Sequence, residues 1–263
     1  MLRSYIYYIM CLCLLLLGCD RISEAERLVY EKPEPARRVV LIEDFTGQRC
    51  VNCPKATDVI EELEAAYGDN IVAVGIHGGP LSFAGNAKVA GLKTALGDEY
   101  YSHWKLEYQP VGLIDRRSPA GYTEWSALVK EELSKPSPLR LEGTAVVEDG
   151  NIAVRLEAEG TDGTVEGKLQ VWILEDGIQA LQLMPDGTAN QEYVHNHVFR
   201  TAVNGIWGQD FSIREGEIAS LALTQPLHPD WNPQHLSVVA FVHNAQGVQQ
   251  AVRIKVPFNT DSL

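Results

Sequence analysis

Unbroken apolar runs separated by helix-period stretches fill the first half of the chain, and apolar/polar alternation of period two takes over in the second. Residues 38–45 predict a strand whose Val39-Val40-Leu41-Ile42 core has no polar interruption, the pattern of a strand covered on both faces. Ala56, Ile60, Leu63 and Tyr67 then recur at helical spacing and stop at Gly68. A second buried strand is expected at 71–76, helical pattern around 87–96 and again around 99–104, and a third strand at 111–114 just after Gln109-Pro110. Thr123 is placed to cap a helix whose inward side is Trp125, Leu128, Val129 and Leu133. Strands alternating with helices specify an α/β domain with parallel pairings, ending near Lys135.

Lys135-Pro136-Ser137-Pro138 marks the change of pattern. Beyond it Ile152, Val154, Leu156 and Ala158 alternate with Ala153, Arg155, Glu157 and Glu159, a half-buried strand that follows an Asp149-Gly150 turn. Further strands are expected at 169–174, 193–203, 218–223, 236–243 and 249–256, separated by Gly, Pro, Asn and Asp. The expectation is therefore an α/β domain over 38–135 followed by an all-β antiparallel sandwich over 139–263.

Ahead of both lies an export segment. Arg3 precedes an apolar run from Ile6 to Leu17 that ends in Leu16-Leu17-Gly18-Cys19. The run is short of the roughly 20 residues a spanning helix needs, so residues 1–18 read as a cleaved lipoprotein signal with Cys19 as the lipidated N-terminus. Residues 19–37, charged and carrying Pro33 and Pro35, form a tether, and acyl chains on Cys19 supply membrane attachment. The formal charge is −13, and one unit more negative once Arg3 is gone. A surface this acidic excludes nucleic acid as an electrostatic partner.

Of five cysteines, Cys11 and Cys13 leave with the signal and Cys19 takes lipid, so Cys50 and Cys53 are the only usable pair. They sit in Leu41-Ile42-Glu43-Asp44-Phe45-Thr46-Gly47-Gln48-Arg49-Cys50-Val51-Asn52-Cys53-Pro54-Lys55, where a strand passes through a short turn into a helix start. The helix dipole and first-turn amides stabilise a thiolate there, and Arg49 and Lys55 add positive charge. Three uses stay open at this point: thiol–disulfide exchange, an inert disulfide, or half of a metal site. If the pair exchanges, Cys50 at the turn is expected to be the exposed attacking thiol and Cys53 the shielded one.

The first domain resembles a thioredoxin fold, with Asp44 six residues ahead of Cys50 and Pro110 before Val111-Gly112-Leu113-Ile114. The resemblance implies that Asp44 handles the proton of Cys53 and that Pro110 is a cis-proline beside Cys50, shaping the edge where a substrate strand docks. The chain departs from that pattern in placing Pro54 after the pair, Arg49 before it, and little room for a hairpin between Ile114 and Thr123.

Residues 41–56, together with Tyr193-Val-His-Asn-His-Val-Phe-Arg200 and Asn204-Gly-Ile-Trp-Gly208, are similar to the twenty-eight-kilodalton outer-membrane lipoproteins of Bacteroidetes-type bacteria. That resemblance implies an outer-membrane location, with an envelope protein substrate or a surface ligand as partner and an adhesin or receptor role as the alternative to redox chemistry. His195 and His197, two apart on the expected strand, would share a face and could hold a metal with His243, although packing roles are the commoner use. His77 falls at the Cys end of the second strand. No phosphate loop, Ser/His/Asp order or carboxylate pair stands out, and no cofactor is expected.

Overall fold

The computed structural model describes residues 30–257; the signal, Cys19 and residues 19–29 of the tether lie outside the described residues. The first half runs β1 (Val40–Thr46), α1 (Cys53–Tyr67), β2 (Ile71–His77), α2 (Ala95–His103), β3 (Val111–Ile114) and α3 (Tyr122–Leu133). β1 is parallel to β2, from Val40 opposite Ile71 to Thr46 opposite His77, and antiparallel to β3. After β3 the chain makes a single bridge, Ala120 to Gly112, where a full hairpin strand had no room.

Because side chains alternate across a strand, β1 has two apolar faces. Val40 and Ile42 face Ala56, Ile60 and Leu63 of α1 and Trp125 and Val129 of α3. Leu41 and Phe45 face the other way, into a core shared with Val72, Val74 and Ile76. Pro54 in the first turn of α1 starts the helix without forfeiting a hydrogen bond.

Two local expectations are corrected. No helix covers 87–94. Gly85 and Gly91 bring their backbones so close that a Cβ on Gly91 would lie 2.0 Å from the Gly85 nitrogen, and the Asn86 carboxamide accepts from the amides of Lys88 and Val89. This is turn chemistry, and the helix starts only where Thr94 accepts from Gly97 N at 2.9 Å. The third helix is preceded by Gly121 rather than capped by Thr123, which lies within its first turn.

The second half contributes β4 (Leu139–Glu148), β5 (Asn151–Gly160), β6 (Thr164–Glu175), β7 (Ile178–Leu183), β8 (Ala189–His195), β9 (Val198–Ala202), β10 (Gln209–Arg214), β11 (Ile218–Pro226), β12 (Leu236–Asn244) and β13 (Gly247–Lys255). An antiparallel sheet β11-β5-β4 packs its apolar face on β6, β10, β12 and β13, with Leu141, Ile152, Val154 and Leu156 against Val171, Ile173, Val238 and Ala240. Two facing antiparallel layers match the expected sandwich.

The expectation of two separate cores does not match the topology. One sheet runs β13-β12-β6-β9-β2-β1-β3, joined where Gly75 of β2 pairs in parallel with Val198 of β9. The residues of β6 alternate between two cores: Val171 and Ile173 enter the sandwich, whereas Trp172 and Leu174 join Leu41, Phe45, Val74 and Tyr100. Residues 33–257 accordingly form one compact unit. The composition change at 136–138 marks a change of architecture rather than an interruption of the packing.

Two salt links tie the ends of this sheet together. Arg38 donates to Asp115 Oδ2 at 2.5 Å and to the carbonyls of Val248 and Gln249. Arg116 grips Glu43, which is fully buried, and its guanidinium lies 4.6 Å from the Phe241 ring centroid.

Candidate functional site

β1 delivers the chain into a tight turn in which Cys50 N donates to Gly47 O at 3.0 Å and Cys53 N to Cys50 O at 3.3 Å. Cys50 and Cys53 form a disulfide with Cα atoms 5.4 Å apart. Gly47 must be glycine here, since a Cβ would lie 2.5 Å from Leu81 O. Arg49 N donates to that same carbonyl.

The turn is not exposed in the way its sequence suggested. Cys50 and Cys53 are each 2% exposed. The cover comes from the β7–β8 hairpin and the 79–93 loop. Gln182 of β7 donates to Cys50 O at 2.9 Å, and Leu183 N donates to Gln48 O. Gln48 is itself buried, donating to Ala90 O and Leu181 O and accepting from Leu92 N. Arg49 is exposed and stacks 4.8 Å from the Phe83 ring centroid.

The peptide bond before Pro110 is cis, and Pro110 is buried. Gln109 ties this loop to the end of β1, donating to Thr46 O at 2.6 Å and to Gly78 O at 3.0 Å while accepting from Leu81 N. Loop 79–82 thereby bridges the Cys turn and the Pro110 loop.

Asp44, Gly75 and His77 fall on the α1 side of the sheet by strand alternation, and the missing side chain at Gly75 leaves space between them. That space is a cavity of about 380 Å³ lined by Asp44, His77, His195, Tyr193, Gln182 and Cys53. Asp44 is 3% exposed with Oδ1 unpartnered, and burial pushes its carboxyl up to about 8. His77 is 2% exposed with Nδ1 unpartnered. Burial, then the nearby His195 and Arg200, hold it well below the usual histidine range. His195 is pulled down to about 4 by burial, against hydrogen bonds to the backbone of Leu181 and Ala180. Its Nε2 has no partner, so Nδ1 makes those bonds and Nε2 is a bare acceptor; the His77 and His195 ring centroids lie 5.4 Å apart.

His195 and His197 do not share a strand face. The expected strand 193–203 breaks between β8 and β9, where His197 adopts φ 57° and its amide donates to Asp176 Oδ1 at 2.7 Å. The break carries His195 inward, while His197 stays at the cavity mouth, 3.4 Å from Glu64. His243 lies elsewhere, 2.9 Å from the Arg116 guanidinium. Among the described residues no group of His, Cys, Asp and Glu is arranged to hold a metal. Gln182 and the hairpin that carries it had no sequence motif to announce them.

The family model for outer membrane protein Omp28 matches residues 97–260, more than half of the chain. The chain belongs to the Omp28 family. Family membership places it in the outer membrane, and the match begins after the Cys pair, so it rests on the region from α2 to the last strands. Among solved structures, HBP35 of Porphyromonas gingivalis superposes with a TM-score of 0.66 at 15% identity, covering 85% of this chain and 77% of that one. Protein AGR_C_4864 of Agrobacterium tumefaciens gives a TM-score of 0.51 at 13% identity over 83% of this chain and 95% of the other. A domain of the outer membrane lipoprotein Omp28 from P. gingivalis is 25% identical over 47% of this chain and 92% of that one, with a TM-score of 0.36. At these identities the first two show a shared fold. No curated protein matches the chain.

Proposed function

We propose that this Omp28-family protein is a lipid-anchored redox protein whose thioredoxin-like module exchanges disulfides with envelope proteins through Cys50 and Cys53. The observation that carries the reading is Asp44: an acid buried without a hydrogen bond to Oδ1, on the strand that feeds the pair, beside a cavity that Cys53 also lines. Uncompensated burial of a carboxyl is unfavourable for stability and is found where a proton must be handled. The order strand, Cys pair, helix, strand, helix, Pro110, strand, helix agrees with a thioredoxin-like module.

In the reduced protein Cys50 thiolate attacks a substrate disulfide, forming a mixed disulfide and expelling a substrate thiolate. Cys53 then gives its proton to the Asp44 carboxylate and attacks Cys50 Sγ, releasing the second substrate thiolate and closing the protein disulfide. Pro110 lies in the docking edge. Cys53→Ser should accumulate mixed disulfides through Cys50, and Cys50→Ser should accumulate few, read on non-reducing gels of envelope fractions. Absence of any adduct with Cys53→Ser counts against exchange.

A second reading, a non-enzymatic adhesin or receptor, is favoured by one specific observation: the disulfide is covered, with Gln182 strapped across Cys50. In that reading the pair is a staple, and a double Cys→Ser variant keeps its surface ligand.

A further inference from the structure

The two cysteines are placed differently. The Cys50 carbonyl accepts from Gln182, which also lines the cavity, whereas Cys53 and Pro54 themselves line it with Asp44, His77 and His195. A volume of about 380 Å³ is in the range of small-ligand pockets and far below what a folded polypeptide needs. Three side chains more than nine-tenths buried present polar atoms without partners among its lining: Asp44 Oδ1, His77 Nδ1 and His195 Nε2. Buried polar atoms of this kind are normally satisfied by water or ligand.

The mouth is acidic. Glu61 and Glu64, one turn apart on α1, line it together with Asp176. Asp176 is neutralised by Arg253 at 2.5 Å, and His197 sits against Glu64. Glu61 and Glu64 therefore set the sign of the entrance, and a cation is drawn in while an anion is repelled.

We propose that this cavity admits a small cationic thiol, of the aminothiol class, that reduces the Cys50–Cys53 disulfide by attack at Cys53. The proposal rests on the exchange reading and names the small-molecule reductant that regenerates its dithiol. The ligand thiolate bonds to Cys53 Sγ, the Cys50–Cys53 bond breaks, and its electron pair leaves on Cys50 as a thiolate. A second ligand thiolate attacks the ligand sulfur of the mixed disulfide, forming the free ligand disulfide and expelling Cys53 thiolate, which takes the proton of the Asp44 carboxyl. Two ligand thiols are oxidised and one protein disulfide is reduced. The ammonium group lies at Glu61 and Glu64, and His195 Nε2 accepts a hydrogen bond from the ligand.

The test is the rate at which the oxidised full-length protein gains alkylatable thiols in cysteamine and in 2-mercaptoethanesulfonate, each rate divided by thiolate concentration. Two carboxylates acting on a two-charge difference at an exposed mouth predict a preference for cysteamine of roughly tenfold at low salt. In a Glu61→Gln, Glu64→Gln double variant, both positions on the outer side of a helix, that preference should fall to about twofold. Equal rates in the wild type, or a preference untouched by the double variant, overturn the proposal and leave the exchange reading standing. If neither thiol reduces the folded protein, the proposal fails. If Cys53→Ser then also traps no partner, the exchange reading fails with it.

Discussion

Replacing Asp44 by Asn should make the protein more stable at neutral and mildly alkaline pH, and by an amount that grows with pH. The folded carboxyl holds its proton up to about 8, whereas in the unfolded chain it ionises near the ordinary aspartate value of 3.8. Its contribution is thus fully present below about pH 4 and declines by roughly 1.4 kcal/mol for each pH step above that. It is exhausted once pH passes the folded value of about 8. The whole window amounts to about 6 kcal/mol, the size of a small domain's total stability. Asp44 is 3% exposed, so solvent screening removes little of this. Asn is close in shape to the protonated acid and cannot ionise. The difference in unfolding free energy between Asp44→Asn and the parent should be near zero at pH 4 and reach several kcal/mol at pH 8. Guanidinium unfolding at pH 4.5, 6 and 8 reads it directly. His77 and His195 act in the opposite sense, because their folded values are lowered and the stability they contribute is lost as pH falls below the usual histidine range. They are common to both proteins, so the difference isolates Asp44. Parallel stability curves for the two proteins would refute the buried, unpartnered acid.

Trp172→Ala tests whether the two halves unfold together. The ring is fully buried, contacts Tyr100, Phe199 and Phe241, and donates to Tyr100 Oη at 3.1 Å. Its loss should cost about 3–5 kcal/mol, lowering one shared transition; a variant that melts only the residues beyond 138 would show separable cores. Cys19→Ala should leave an unlipidated form that no longer fractionates with the membrane, as read by mass spectrometry and detergent partitioning.

The local chemistry of the first half was legible because each signal is short-range. An apolar tetrad before Cys50, a helix-period stripe from Ala56 to Leu63 and a Pro after an extended run each depend on neighbours within a few residues, and β1, α1 and the Pro110 loop stand where those signals put them. The sandwich was legible from alternation at Ile152–Ala158 for the same reason. What could not be read was anything set by distant pairing. Val198 beside Gly75, and Trp172 turned away from Val171, follow from which strand lies next to which. The Ala87–Leu96 stretch has helical spacing, but Gly91 within it and Gly85 ahead of it allow a close backbone crossing that no period records.

The same distant pairing decides what the Cys turn can do. A surface Cys-x-x-Cys at a helix start is open to any partner, and specificity must then come from elsewhere. Here β9 pairs with β2, and the chain just before it, β7 and β8, is thereby laid across the turn. Two side chains from this hairpin meet the pair's surroundings: Gln182 bonds to the Cys50 carbonyl and also lines the cavity, and His195 enters that cavity beside Cys53. The Gln182 strap consists of neutral hydrogen bonds, each worth on the order of 1 kcal/mol net, so a docking strand that offers equivalent backbone groups can displace it. His195 is held by backbone bonds and packed against His77 and Tyr193. The oxidised state thus presents a cavity at Cys53 and a displaceable Gln182 strap at Cys50. Gln182→Ala should therefore speed alkylation of Cys50 in the reduced protein severalfold, measured by peptide mass mapping. Unchanged alkylation of Cys50 would mean that Gln182 is not its cover, and the role argued from the hairpin would be wrong.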